Sequence, residues 1–221
     1  MLWFESNGPH RHRRVALPDS NVADARRSLR ASLRAKRRAL SATERARAAR
    51  QIARLAAHFL RLRSGQRIGI YAATAEELDT SCLISLALRR GCLVYLPCID
   101  RRRRVPAMRF AQITAAARPL QRNRFGIAEP EGPRLASARL LDVVFLPLVG
   151  FDRRGVRLGM GGGYYDRAFG FRRLRAHWHA PLLVGIGYAS QEVQHIAPAA
   201  HDVPLDLVIT ERGIIRCVRG G

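Results

Sequence analysis

Residues 150–167 read G-F-D-R-R-G-V-R-L-G-M-G-G-G-Y-Y-D-R, and they combine the residue types needed to hold a metal-bound polyphosphate. Gly159, Gly161, Gly162 and Gly163 carry no side chains, so backbone N–H groups can approach an anion closely. Arg157 and Arg167 add fork-shaped donors suited to phosphate. Asp166 is the natural Mg2+ ligand, because Mg2+ in nucleotide sites takes one or two carboxylates with phosphates and water. An aspartate in the first turn of a helix, stabilised by the helix dipole, is the plainer reading of the same residue. A second carboxylate is offered by H-D-V-P-L-D at 201–206, from Asp202 or Asp206, either of which also reads as a turn residue. The pattern is not a Walker A loop, since no Gly-Lys-Ser/Thr follows, and its glycine spacing differs from GxGxxG. A glycine-rich loop alone is as often a linker. A linker, however, has no need of a carboxylate and two aromatic rings beside four glycines.

The elements around this loop must place it at the edge of a sheet. An apolar strand at 143–148 (VVFLPL) runs straight into it, and residues 164–176 read as a helix leading away. In an open parallel sheet, ligands collect beyond the carboxyl ends of the strands, which is where this loop falls. Further strands are expected at 67–72 (RIGIYA), 93–96, 108–112, 182–188 and 207–210, with a short one at 214–218. Helices are expected over 23–39, over about 41–60 behind the S-A-T-E capping box, and over 80–90 up to Gly91. The strand-helix-strand order from 67 to 96 implies parallel strands joined by a crossover. The expected architecture is therefore α/β: a single Rossmann-like, mainly parallel sheet flanked by helices, with an N-terminal helical arm. Residues 1–22 read as a disordered extension and 23–221 as one domain, with no internal repeat.

Bulk composition narrows the function classes. At 221 residues, 48% hydrophobic and 25% charged, the chain suits one ordinary globular domain. No apolar run approaches the roughly 20 residues of a membrane span. The opening has no apolar signal-peptide core; its Arg/His-rich patch at 10–14 fits an extension better than a transit peptide. A cytoplasmic enzyme without a membrane partner is expected, the monomer being favoured. Cys82, Cys92, Cys98 and Cys217 form no CxxC pair and match no zinc spacing, so they read as free thiols in a reducing compartment. The net charge of +22 would attract polyanions, from nucleic acids to nucleotides and polyglutamate tails. Yet Lys36 is the only lysine, and the arginines run along the whole chain, as in a compositional bias. The run Arg101–Arg104 reads as a solvated turn, with a phosphate contact as its sharper alternative.

With these residues in view, the loop resembles the signature of the 5-formyltetrahydrofolate cyclo-ligase family, G-F-D-x-x-G-x-R-L-G-x-G-x-G-Y-Y-D, and meets every fixed position. The similarity extends over about 24–210. It takes in the arginine-rich first helix, Tyr71 with E-L-D-T at 77–80, L-P at 96–97, M-R-F at 108–110, E-P at 129–130, G-I-G-Y at 185–188 and H-D at 201–202. The resemblance implies an ATP- and Mg2+-dependent ligase that forms a C–N bond, converting 5-formyltetrahydrofolate to 5,10-methenyltetrahydrofolate with release of ADP and phosphate. A formamide oxygen is a poor leaving group. Phosphorylating it gives an iminium phosphate that the second folate nitrogen attacks, so charge neutralisation and positioning carry the rate.

Carried over position by position, the resemblance assigns nucleotide contacts to Arg26 and Arg30. It adds the loop of Arg157, Leu158, Gly159, Met160, Gly161, Gly162, Gly163, Tyr164 and Tyr165. Arg157 and Tyr164 are the implied catalytic groups. Met160 to Tyr164 would also face the folate, and Glu77 would bind it; a helix-start carboxylate is the plainer reading of Glu77. Asp166 and Asp202 would hold Mg2+. Arg26 departs from the family's frequent lysine, keeping charge but changing geometry. Some relatives carry basic residues where this loop has Met160 and Gly162, which shifts phosphate contact toward Arg157 and backbone amides. Phe125 lies near a folate-contacting aromatic of relatives and reads equally well as a core residue. The substrate is a folate, with or without a polyglutamate tail, and no nucleic-acid partner is expected. Two other readings stay open: an arginine-rich nucleic-acid-binding α/β protein, and an ATP-dependent ligase for another substrate.

Overall fold

A computed structural model of the chain describes residues 19–100, 107–113, 121–122, 128–129, 135–173 and 180–218. Its frame is an eight-stranded sheet. The inner strands are β1 (Arg67–Gly69), β2 (Leu93–Asp100), β7 (Val143–Pro147), β10 (Leu182–Ile186) and β11 (Leu207–Thr210). All four pairings among them are parallel. The edges run the other way. β12 (Gly213–Arg216) pairs antiparallel with β11, while β3 (Ala107–Ile113) pairs antiparallel with β2 and β6 (Leu135–Ala136) with β3. Two small hairpins lie outside this sheet: β4 (Gln121–Arg122) with β5 (Ala128–Glu129), and β8 (Gly150–Phe151) with β9 (Arg157–Leu158).

Helices cover both faces, which is why the inner strands are apolar on successive residues rather than alternate ones. In β7, Val143 and Phe145 face one core, and Val144 and Leu146 face the other. The first core is closed by α2 (Ala42–Phe59) and α3 (Ser81–Arg89). Ala48, Ala49, Ile52, Ala53, Ala56 and Ala57 form the buried stripe of α2, and small residues there let the helix lie close to the strands. Its start is set by a capping box: the Glu44 N–H donates to Ser41 Oγ at 3.2 Å and the Ser41 N–H donates to Glu44 Oε2 at 2.8 Å. The second core contains Phe110, Phe169, Leu183 and Val208 under α4 (Tyr164–Phe169). A third, smaller cluster seats Leu29 and Leu33 of α1 (Asp19–Arg38) on Val149, Leu158 and Ile196. This docks the N-terminal arm beside the glycine loop.

The mainly parallel α/β architecture expected from the pattern is present, with different boundaries. Helix α1 begins at Asp19, inside the segment expected to be an extension, and residues 1–18 lie outside the described residues. The helix expected to reach residue 176 is α for only six residues and turns 3-10 over Gly170–Arg172, where a glycine weakens the helix interior. The antiparallel edges were not anticipated, because strand direction is a matter of connection rather than local composition. The Arg101–Arg104 run, Phe125 and Pro130 fall outside the described residues. Among the described residues, no helix is long and apolar enough to cross a membrane.

Candidate functional site

The strand order β10-β7-β1-β2 has a reversal at its centre: from β1 the chain moves outward through α3 to β2, whereas β7 begins the opposite run toward β10 and β11. A crevice opens beyond the carboxyl ends of strands at such a point. The two loops leaving there are 70–80, after β1, and 148–163, after β7. The first carries Glu77 and the second is the glycine loop.

The glycine loop is built on the β8–β9 hairpin. Its hinge is Asp152, whose side chain is fully buried. Asp152 Oδ1 accepts from the N–H groups of Arg154 (3.0 Å) and Val156 (3.1 Å), and Oδ2 accepts from Arg154 Nη2 (2.7 Å) and the Ile196 N–H (3.0 Å). One carboxylate thus closes the hairpin and fastens it to the 192–197 segment. Gln191 adds a second tie, donating from Nε2 to the carbonyls of Leu148 (2.7 Å) and Val149 (2.9 Å) while its Oε1 accepts the Tyr188 N–H (2.7 Å).

Arg157 leaves β9 almost wholly buried, at 6% exposure. It donates to the Val203 carbonyl at 3.0 Å and to Asp166 Oδ1 at 2.8 Å, and the Val203 N–H donates to the same oxygen at 3.1 Å. Asp166 on α4 is therefore held against the residue next to Asp202. In between, Gly161 (φ +100°) and Gly163 (φ +62°, the residue capping α4) adopt the left-handed backbone that favours glycine. Gly159 is different. Its φ is not positive, and an added Cβ would meet nothing within 4 Å, so neither strain nor crowding inside the protein accounts for the missing side chain. Met160, beside it, is 58% exposed at the loop tip. The Arg167 guanidinium lies 4.8 Å from the Tyr164 ring centroid, and Tyr165 stacks on Phe169 with centroids 6.4 Å apart. Burial pushes the Tyr165 hydroxyl well above the ordinary tyrosine range; the charge of Glu77 adds to this and Arg157, whose guanidinium lies 6.0 Å from the Tyr165 ring centroid, opposes it.

Helix α1 supplies the third wall. Arg26, Arg30, Arg34 and Arg37, spaced by four, four and three residues, form one stripe. Arg26 donates to Asp202 (2.8 and 3.3 Å) and to the Ala197 carbonyl (2.7 Å). Arg30 Nε donates to the Gly159 carbonyl at 2.9 Å. Arg34 and Arg37 both reach Glu76. Glu77, next in sequence, accepts from the Thr74 N–H (2.9 Å) and hydroxyl (3.0 Å). It therefore caps a turn and does not start a helix: α3 begins four residues later, at Ser81.

The sequence from residue 22 to residue 211 matches the family described as the 5-formyltetrahydrofolate cyclo-ligase family. The chain belongs to that family. A curated cyclo-ligase of Haemophilus influenzae is 32% identical over 154 residues, 67% of this chain and 77% of the relative. The Escherichia coli K12 cyclo-ligase is 33% identical over 150 residues, 65% of this chain and 76% of its own. Among solved structures, the 5,10-methenyltetrahydrofolate synthetase of Aquifex aeolicus superposes with a TM-score of 0.73 at 27% identity, covering 89% of this chain and 94% of that one.

The family resemblance implies a Mg2+ ion, and the residues present fit one. Asp166 has Oδ1 engaged by Arg157 and Val203, which leaves Oδ2 for a cation. Asp202 accepts Arg26 and the Ala199 N–H and retains lone pairs. Among the described residues no group of three or more His, Cys, Asp or Glu assembles, so the carboxylates available to an ion are Asp166 and Asp202, each held by an arginine. That is the donor set of a hard cation shared with phosphates and water. Asp206, the other candidate, is committed elsewhere: both its oxygens accept from Arg172 at 2.8 Å, and Oδ2 also accepts the Leu183 N–H.

The structure thus brings Arg26, Arg30, Arg157, the glycines, Asp166 and Asp202 into one region of the fold, while Glu77 sits on the 70–80 loop, whose Glu76 is tied to the same helix α1. Sequence reading passed over Asp152, Gln191 and Glu76. Asp152 stood within the quoted signature, and its position in the loop was the available signal. Nothing local distinguishes Glu76 or Gln191.

Proposed function

We propose that the chain closes 5-formyltetrahydrofolate to 5,10-methenyltetrahydrofolate, consuming ATP with Mg2+ and releasing ADP and phosphate. The observation carrying this reading is the convergence on the glycine loop: Arg30 holds the Gly159 carbonyl, while Asp166 and Asp202, each paired with an arginine, flank Val203. When bound, Mg·ATP would supply the phosphoryl group that turns the formyl oxygen into a leaving group, with the metal neutralising charge on the phosphates.

The chain's own residues would do the rest by positioning. Backbone N–H groups of residues 159–163 would hold the phosphates, with open space where Gly159 and Gly161 lack a Cβ. Asp166 and Asp202 would hold the metal, and Arg26, Arg30 and Arg157 would turn toward the phosphates, keeping the charge balanced. Met160 and Tyr164 would face the folate. Glu77, an acceptor-only group when ionised, suits the N–H donors of a pterin. Excluding water would protect the activated formyl group from hydrolysis.

Nucleotide titration in the presence and absence of Mg2+ tests the site. Wild type should bind ATP with Mg2+, and Asp166→Asn should keep the fold while losing about 100-fold or more in turnover, as when a preorganised electrostatic group is removed. Near-normal turnover in Asp166→Asn would remove the metal role.

A further inference from the structure

Glu76 lies at the point where the 70–80 turn meets helix α1. Its Oε2 accepts from Arg34 Nε (3.0 Å) and Nη2 (2.7 Å) and from Arg37 Nη2 (3.3 Å). Arg37 is 2% exposed, and its Nε has no hydrogen-bond partner. Burial lowers the pKa of this guanidinium, and Glu76 and then Glu77 are the acidic groups that counter the effect. An arginine nonetheless stays charged, and a buried cation left without its carboxylate is costly. The clamp is therefore anchored on its buried side by Arg37 and reinforced on its exposed side by Arg34.

What the clamp joins is more telling than the clamp itself. Arg34 and Arg37 continue the same stripe as Arg26 and Arg30, which reach the Asp202 loop and the Gly159 carbonyl. On the other side, Glu76 is the immediate neighbour of Glu77, whose carboxylate closes the 74–77 turn through the Thr74 N–H and hydroxyl. A shift of α1 along or about its axis must move the glycine-loop contact and the Glu77 turn together.

We propose that Glu76 is a positioning residue: through Arg34 and Arg37 it ties the Glu77 turn to helix α1, so that nucleotide held at the glycine loop tightens folate binding. This rests on the proposed function. Glu76 itself touches neither ligand.

The test measures 5-formyltetrahydrofolate affinity of the whole protein with and without a non-hydrolysable ATP analogue and Mg2+, in wild type, Glu76→Gln and Arg34→Gln. Glutamine keeps an acceptor for Arg37 but removes the charge. Wild type should bind the folate about tenfold more tightly with the nucleotide present, within the usual span of coupling between two sites. Glu76→Gln, which leaves the buried Arg37 cation without its counter-charge, should lower the thermal midpoint and lose most of that factor while keeping the nucleotide affinity and the folate affinity measured alone. Arg34→Gln should fall between. A wild type with no coupling overturns the proposal, as does a Glu76→Gln variant with wild-type coupling or equal losses for both ligands. A wild type that binds neither ligand would instead overturn the function on which the proposal rests.

Discussion

At the scale of single residues, Gly159 is the sharpest probe of the glycine loop. Gly161 and Gly163 need their backbone angles, so replacing either would strain the loop as well as any ligand contact. Gly159 has no such excuse: its Cβ would point into open space. Gly159→Ala should therefore leave thermal unfolding unchanged and raise the KM for ATP about tenfold, equivalent to about 1.4 kcal/mol. An unchanged KM would mean that no ligand approaches there. This residue, with Arg157 and Asp166, was legible in the sequence because glycine, arginine and aspartate in close order carry a chemical meaning without reference to the rest of the chain. The partners of those residues were not. That Asp166 meets Val203, or Arg26 meets Asp202, depends on contacts across 37 and 176 positions that no local pattern encodes.

Secondary-structure elements are unevenly legible in the sequence, for physical reasons. Helix α2 was located closely because its start is a local device, Ser41 with Glu44, and its buried face repeats at helical spacing. Strands β7 and β11 stood out because burial on both faces leaves an unbroken apolar run. The β8–β9 hairpin was missed, since two-residue strands have no periodicity to detect. Asp152 supplies what those short strands lack. Because its carboxylate is fully buried and faces four groups of N–H donors, Asp152→Asn would set an amide N–H2 against donors. Denaturant unfolding should show a loss of about 3–5 kcal/mol, the range for breaking a buried charge-assisted network. A loss under 1 kcal/mol would indicate that the hairpin is held by its other contacts.

For the whole molecule, the reversal of strand order between β1 and β7 explains why the 70–80 and 148–163 loops, far apart in sequence, leave neighbouring strand ends, and why α1 can bridge them. The net charge of +22 gives the molecule a positive field suited to anionic ligands. Raising ionic strength should therefore depress kcat/KM more for a folate bearing several glutamates than for the monoglutamate, since screening acts on each added charge. Equal salt dependence would leave the arginine excess without a role in substrate capture. The central claim is tested most directly by mixing the full chain with 5-formyltetrahydrofolate, ATP and Mg2+ and following the methenyl chromophore and ADP together. The account predicts that both appear in equal amounts and that neither appears when any component is withheld. Chromophore without ADP, ADP without chromophore, or silence from a folded protein given all three would contradict it.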